Sequence, residues 1–127
     1  MNRAVLLDSS FLIALERETA RSEHGPAWRW LSALRGRPVV ISVVTVEEIL
    51  EGAADEVTAY TSLQRFVIQG LHLSQARRCA LLQRRASLRM GENDAWLVAT
   101  AHCLDADVLG ADRAAFERLG ARYLRFR

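Results

Sequence analysis

The sequence predicts an α/β protein, a three-layer α/β/α sandwich on a mostly parallel sheet of four to five strands. Three observations carry that reading. Short apolar runs of strand length alternate with longer stretches of helical periodicity from one end of the chain to the other. The first run, Ala4 to Leu7, is continuously apolar, the pattern of a strand covered on both faces. Acidic residues sit at the corners where strand-like runs give way to helix-like ones: Asp8, Glu48, Asp94 and Asp112.

The elements follow in order. Ser9 to Leu15 reads as a helix with Phe11, Leu12 and Leu15 on one face, and Glu16 to Gly25 as its polar end and a loop. Pro26 stands where proline suits a helix start, and Trp28, Leu31 and Leu34 recur at helical spacing after it. Val39 to Ser42 is the second strand. Thr45 with Glu48 matches a capping box, and Gly52 ends the helix that it opens. Asp55 to Phe66 carries Val57, Tyr60, Leu63 and Phe66 at three-residue intervals and reads as another helix. Val67 to Leu73 is a third strand, interrupted by Gly70. Ser74 to Met90 reads as one long helix stopped by Gly91, and Asn93 to Leu104 as a strongly apolar, buried helix. Asp107 to Leu109 is a fourth strand, Asp112 to Leu119 a short helix and Ala121 to Phe126 a last, edge-like strand.

Length and composition bound the rest. At 127 residues the chain suits one domain, residues 1–127, with an ordinary globular balance of half hydrophobic and a quarter charged residues. Net charge is only +2, yet all 17 basic residues are Arg and none is Lys. Genomic base composition alone can produce that bias. Arg nevertheless suits bidentate phosphate contacts better than Lys does, and mechanisms that need a lysine are excluded. Cys79 and Cys103 lack metal-type spacing and read as reduced residues in or near the core. No signal peptide opens the chain and no apolar stretch is long enough to span a bilayer, so a cytoplasmic protein is expected.

Each acid alone has a structural role open to it. Asp8 can cap the helix that begins at Ser9, Glu48 can complete the capping box, Asp94 can meet the positive end of its helix, and Asp112 can cap the last helix. Those roles do not require an acid, because Ser, Thr and Asn cap about as well as Asp. Parallel sheets bind ligands beyond the carboxyl ends of their strands, which is where all four acids fall. A pair of like charges about 4 Å apart costs on the order of 4 kcal/mol at an effective dielectric of about 20. A divalent cation relieves such crowding, so the pattern points to metal-dependent chemistry on phosphate.

The same four segments carry a resemblance. Leu6 to Ile13 (LLDSSFLI), Ile41 to Gly52 (ISVVTVEEILEG), Gly91 to Ala101 (GENDAWLVATA) and Val108 to Phe116 (VLGADRAAF) resemble, in order and spacing, the motifs of PIN-domain nucleases. The compact length resembles the VapC-type toxins of bacterial toxin–antitoxin pairs. The resemblance implies a PIN-like fold and an endoribonuclease requiring Mg2+ or Mn2+, with Asp8, Glu48 and Asp94 as central ligands. Asp112 would then serve a second metal or orient the attacking water. Two positions depart from the pattern: Gly110 stands where the fourth motif has Thr or Ser, and Ala115 where it has a polar residue.

Several residues around the motifs have two readings each. Ser9 and Asn93 either support the site or only begin their helices. Glu48 and Glu51 share a helix face, while Glu47 points about 100° away, so Glu47 and Glu51 read as solvent or partner contacts; Glu92 stands near the pocket rim. Arg77, Arg78, Arg84, Arg85 and Arg89 form a basic stripe on one predicted helix, either a solvated face or a surface steering RNA phosphates. Trp28 reads as core and Trp30 as exposed; with Phe11 and Leu12 they suggest a groove for an amphipathic helix, and the resemblance implies an antitoxin as its occupant. A homodimer or a toxin–antitoxin hetero-oligomer is implied in the same way. The alternative to a nuclease is a catalytically silent PIN-like module that binds RNA or protein. A receiver domain would need a lysine, a haloacid-dehalogenase-type phosphatase a second Asp at position 10, and a dinucleotide-binding fold a glycine-rich first turn.

Overall fold

The computed structural model describes residues 3–111, 116–117 and 122–127. Five parallel strands form one sheet: β1 (Val5–Leu7), β2 (Val39–Ser42), β3 (Val67–Gln69), β4 (Asp107–Gly110) and β5 (Tyr123–Arg125), in the order β3-β2-β1-β4-β5. Between them run α1 (Ser9–Ala20), α2 (Pro26–Ala33), α3 (Val43–Gly52), α4 (Glu56–Leu63), α5 (Leu73–Arg85) and α6 (Glu92–Leu104).

Side-chain alternation in the central strand builds the three layers. Val5 and Leu7 face α1 and α2, packing with Phe11, Leu15, Ala27 and Leu34. Leu6 faces the other way, with Val40 and Val108, onto Leu97, Val98 and Ala101 of α6. All three β1 residues are fully buried, as a continuous apolar run predicts. α5 lies against α6 through Cys79, Leu82, Ala95 and Ala99.

Topology fixes where a ligand belongs. From β1 the chain moves outward through β2 to β3, then crosses back to β4 on the opposite side of β1. The strand order therefore reverses between β1 and β4, and the crevice beyond the carboxyl ends of those strands is the expected binding place. Leu7 pairs with Leu109 in register, which sets Asp8 opposite Gly110.

Several local expectations change. Thr45 is not a helix cap: Ser42, the last residue of β2, takes that place and its Oγ accepts from the Val44 N–H at 3.1 Å. Strand passes into helix with no loop, so α3 starts early and Thr45 is buried inside it. α4 buries Ala59 and Leu63, while Val57 and Tyr60 are exposed; a strict three-residue spacing drifts around a helix of 3.6 residues per turn. β3 stops at Gln69, just before Gly70. α5 ends at Arg85 rather than continuing to Met90, because Gln83 holds the following segment through two bonds with the Met90 backbone, at 2.9 and 3.0 Å. The two tryptophans exchange roles: Trp28 is exposed and stacks on His24, and Trp30 packs against the core. Cys103 is exposed, and Cys79 alone of the two cysteines is buried. The predicted helix from Asp112 to Leu119 falls mostly outside the described residues.

Candidate active site

Asp8 ends β1 and begins α1. Its N–H donates to the Leu109 carbonyl at 2.9 Å, tying it to the neighbouring strand. Its carboxylate caps the helix, accepting from the Ser10 N–H at 3.3 Å and from the Ser10 hydroxyl at 2.6 Å. The cap and the site are therefore one group, and Asp8 is 7% exposed. Ser10, rather than the Ser9 that the sequence suggests, is the serine on this carboxylate. Its Oγ in turn accepts from the Ala111 N–H at 3.0 Å, across the crevice. An Asp cap followed two residues later by Ser is the signal in the sequence that points to it.

Glu48 reaches the same region from α3. With Ser42 as the cap, Glu48 lies well inside its helix, released from any capping role. Burial pushes its carboxyl above the ordinary carboxylate value. The nearby Asn93 side chain pulls the other way, and the charges of Asp8, Asp94 and Glu51 push it further up. Asp8 and Asp94 thus each act on this one half-buried carboxyl. Asp94 lies in the first turn of α6, where the helix N-terminus favours negative charge. Asn93 is not the helix cap, which is Gly91; its side chain instead holds the Glu48 pKa down. Asp112 lies outside the described residues.

The oxygen-only donors suit a hard cation such as Mg2+ or Mn2+. Among the described residues, however, no three His, Cys, Asp or Glu side chains converge closely enough to hold a metal ion by themselves. The donor chemistry of these carboxylates fits a divalent cation.

The neighbouring charges divide by role. Glu47 is exposed and its carboxyl is raised, chiefly by the neighbouring Glu51 side chain. At the opposite end of the sheet, Asp107 bridges Arg3 at 3.2 Å and Arg37 at 2.6 Å, an acid used to join strand starts. Arg77, Arg78, Arg84 and Arg85 are carried on α5. Arg89 lies beyond the end of that helix and pairs with Glu92 at 2.9 Å, so the predicted stripe is shorter by one residue. The predicted groove also moves. Phe11 and Leu12 are core, and an open groove of about 430 Å3 is lined by Pro26, Arg29, Trp30, Ala33 and Phe126.

A PIN-domain family model matches residues 5–121. The chain belongs to the PIN-domain family. Among solved structures, this PIN chain is similar to one from a toxin–antitoxin complex of Klebsiella pneumoniae, at 23% identity and a TM-score of 0.78, covering 97% of this chain and 98% of that one. A chain from the DNA-bound VapBC of Salmonella typhimurium matches at 16% identity and a TM-score of 0.74, with all of both chains covered. One from FitAcB of Neisseria gonorrhoeae matches at 20% identity and a TM-score of 0.71, covering 97% of this chain and 96% of that one. At these identities the likeness establishes the fold. No curated protein matches the sequence significantly.

Proposed function

We propose that this PIN chain is a metal-dependent endoribonuclease, the toxin component of a type II toxin–antitoxin system, hydrolysing RNA phosphodiester bonds. The observation that carries the reading is a PIN fold in which Asp8 ends β1 at the reversal of strand order and the charges of Asp8 and Asp94 both raise the half-buried Glu48 carboxyl. Asp8, Glu48 and Asp94 would hold Mg2+ or Mn2+, with Asp112 as the fourth acid. When bound, such an ion supplies activation of water and stabilisation of charge on the phosphate. The chain's own groups prepare the place: Ser10 orients Asp8 through its hydroxyl, and Asn93 would favour the charged form of Glu48.

The arginines of α5 would draw the RNA backbone toward the acidic centre. The groove at α2, with the Trp30 ring and the Arg29 guanidinium on its walls, suits an amphipathic helix of an antitoxin. Assembly as a homodimer or with that antitoxin, a single domain over residues 1–127 and a cytoplasmic location complete the proposal. Among the described residues no helix is long and apolar enough to cross a membrane.

Incubation of purified protein with total RNA and Mn2+, followed by cleavage-site mapping, tests the reading. Discrete cuts by wild type that vanish in Asp8→Asn and Asp94→Asn are expected. Cuts that survive both substitutions place the chemistry elsewhere, and RNA binding without any cut favours the silent binding module.

A further inference from the structure

The crevice between β1 and β4 contains a close approach that the acidic motifs do not account for. A Cβ built on Gly110 would stand 2.9 Å from the Asp8 Cβ and 3.1 Å from its Oδ2. Neither residue has room to give way. The Gly110 carbonyl accepts from the Phe126 N–H at 3.2 Å and from the Tyr123 hydroxyl at 3.1 Å. Asp8 is fastened through its N–H to Leu109 and through its carbonyl to the N–H groups of Phe11 and Leu12 at 3.1 and 3.2 Å. The added carbon would meet the root of the Asp8 side chain, not a flexible tip, so relief requires turning the carboxylate or parting the strands.

On the other side of Asp8, the Ser10 hydroxyl donates to Oδ2 and is itself fixed by the Ala111 N–H. The backbone of the segment after β4 thus reaches Asp8 through Ser10. Where a side chain at position 110 would intrude, the bare glycine leaves room.

We propose that Gly110 and Ser10 form a seat for Asp8, the glycine supplying the space and the serine the positioning hydroxyl. Both set the direction in which the carboxylate faces the proposed cation. The inference rests on the metal-site reading above for its consequence, while the seat itself is a property of the metal-free protein. Ser10 is a positioning residue and acts only through Asp8. Gly110, a position where the motif loses a hydroxyl, is on this account a compensated change: the hydroxyl that orients the first acid comes from α1.

Two measurements on the full chain test it. Metal-free crystal structures of wild type, Ser10→Ala, Ser10→Thr and Gly110→Ala report the seat. Calorimetric titration with Mn2+ reports its consequence. The expected result is an Asp8 carboxylate turned from its wild-type direction in Ser10→Ala and Gly110→Ala, with Mn2+ affinity lower by about 10–100-fold, the range for losing a group that supports a metal ligand. Ser10→Thr keeps the hydroxyl and restores both. An Asp8 carboxylate that superimposes on wild type in Ser10→Ala overturns the proposal, as does a turned carboxylate with unchanged Mn2+ affinity. If wild type binds no Mn2+, the metal reading fails and the consequence with it, while the crystal structures still decide the seat. Should Gly110→Ala not fold, the two Ser10 variants decide both.

Discussion

Replacing Glu18 with alanine removes the group that begins α2. That helix starts at Pro26 behind Gly25, which has no side chain to cap it. Glu18, on α1, supplies the cap instead: its two carboxylate oxygens accept from the Ala27 and Trp28 N–H groups, each at 2.9 Å. Ala27 is fully buried, so its N–H would lose its partner with no water to replace it. An unsatisfied buried donor costs about 1–3 kcal/mol. The lost charge at a helix N-terminus adds about 0.3–1 kcal/mol. The sum is about 1.3–4 kcal/mol, or a fall in melting temperature of about 5–15 °C for a domain of this size. Glu18→Gln keeps one oxygen and should lose about half as much. Gly25→Ala attacks the same contact from outside, since its Cβ would stand 2.6 Å from that carboxylate. Urea unfolding read by tryptophan fluorescence measures all three, with Trp28 and Trp30 on the helix concerned. A loss below about 0.5 kcal/mol in Glu18→Ala, the range of ordinary surface substitutions, would refute the reasoning. The consequence extends to function, because α2 carries most of the groove proposed for a partner helix.

Three further outcomes follow from the charges. His102 has its pKa lowered from the ordinary 6.5 by burial, then by the positive charges of Arg78 and Arg122. A depressed histidine stabilises the fold above its unfolded value and loses that contribution as pH falls from about 6.5 through the folded value; His102→Gln should flatten the stability decline in that window, and an unchanged profile in urea unfolding at several pH values would count against it. Arg77→Ala with Arg84→Ala should weaken RNA binding across sequences and reduce the salt slope by about 0.7 for each phosphate left without its arginine on a single strand, read by fluorescence anisotropy from low to high salt; an unchanged slope removes these residues from the RNA surface. Asn93→Ala, which removes the polar side chain that favours the charged form of Glu48, should lower cleavage by about tenfold with the melting temperature little changed; activity equal to wild type would make Asn93 a bystander.

Much of the fold is legible because parallel α/β architecture writes itself in hydrophobic runs. β1 is covered on both faces and so shows no alternation, and β2 is bounded by Pro38 and a change of period. The acids are legible as a set because each stands at a corner between a strand-like and a helix-like run, and among the described ones the charges of Asp8 and Asp94 both act on Glu48. What the sequence hides depends on contacts between distant segments. The Thr45–Glu48 pair matches a local motif, but Ser42 caps α3 because strand and helix join without a loop. Spacing alone assigns the tryptophans, whereas in the fold Trp30 packs against the core and Trp28 stacks on His24. Gly110 reads as a missing hydroxyl; only the β1–β4 register shows it as room for Asp8. Ser10 is inconspicuous because the bond that fixes it comes from Ala111, 101 residues away.

The central claim is that Asp8, Glu48 and Asp94 share one divalent cation. Anomalous diffraction from crystals grown with Mn2+ tests it most directly. An anomalous peak between these three side chains, absent in Asp8→Asn, is predicted. Ordered Mn2+ bound elsewhere, with that space holding none, would contradict it.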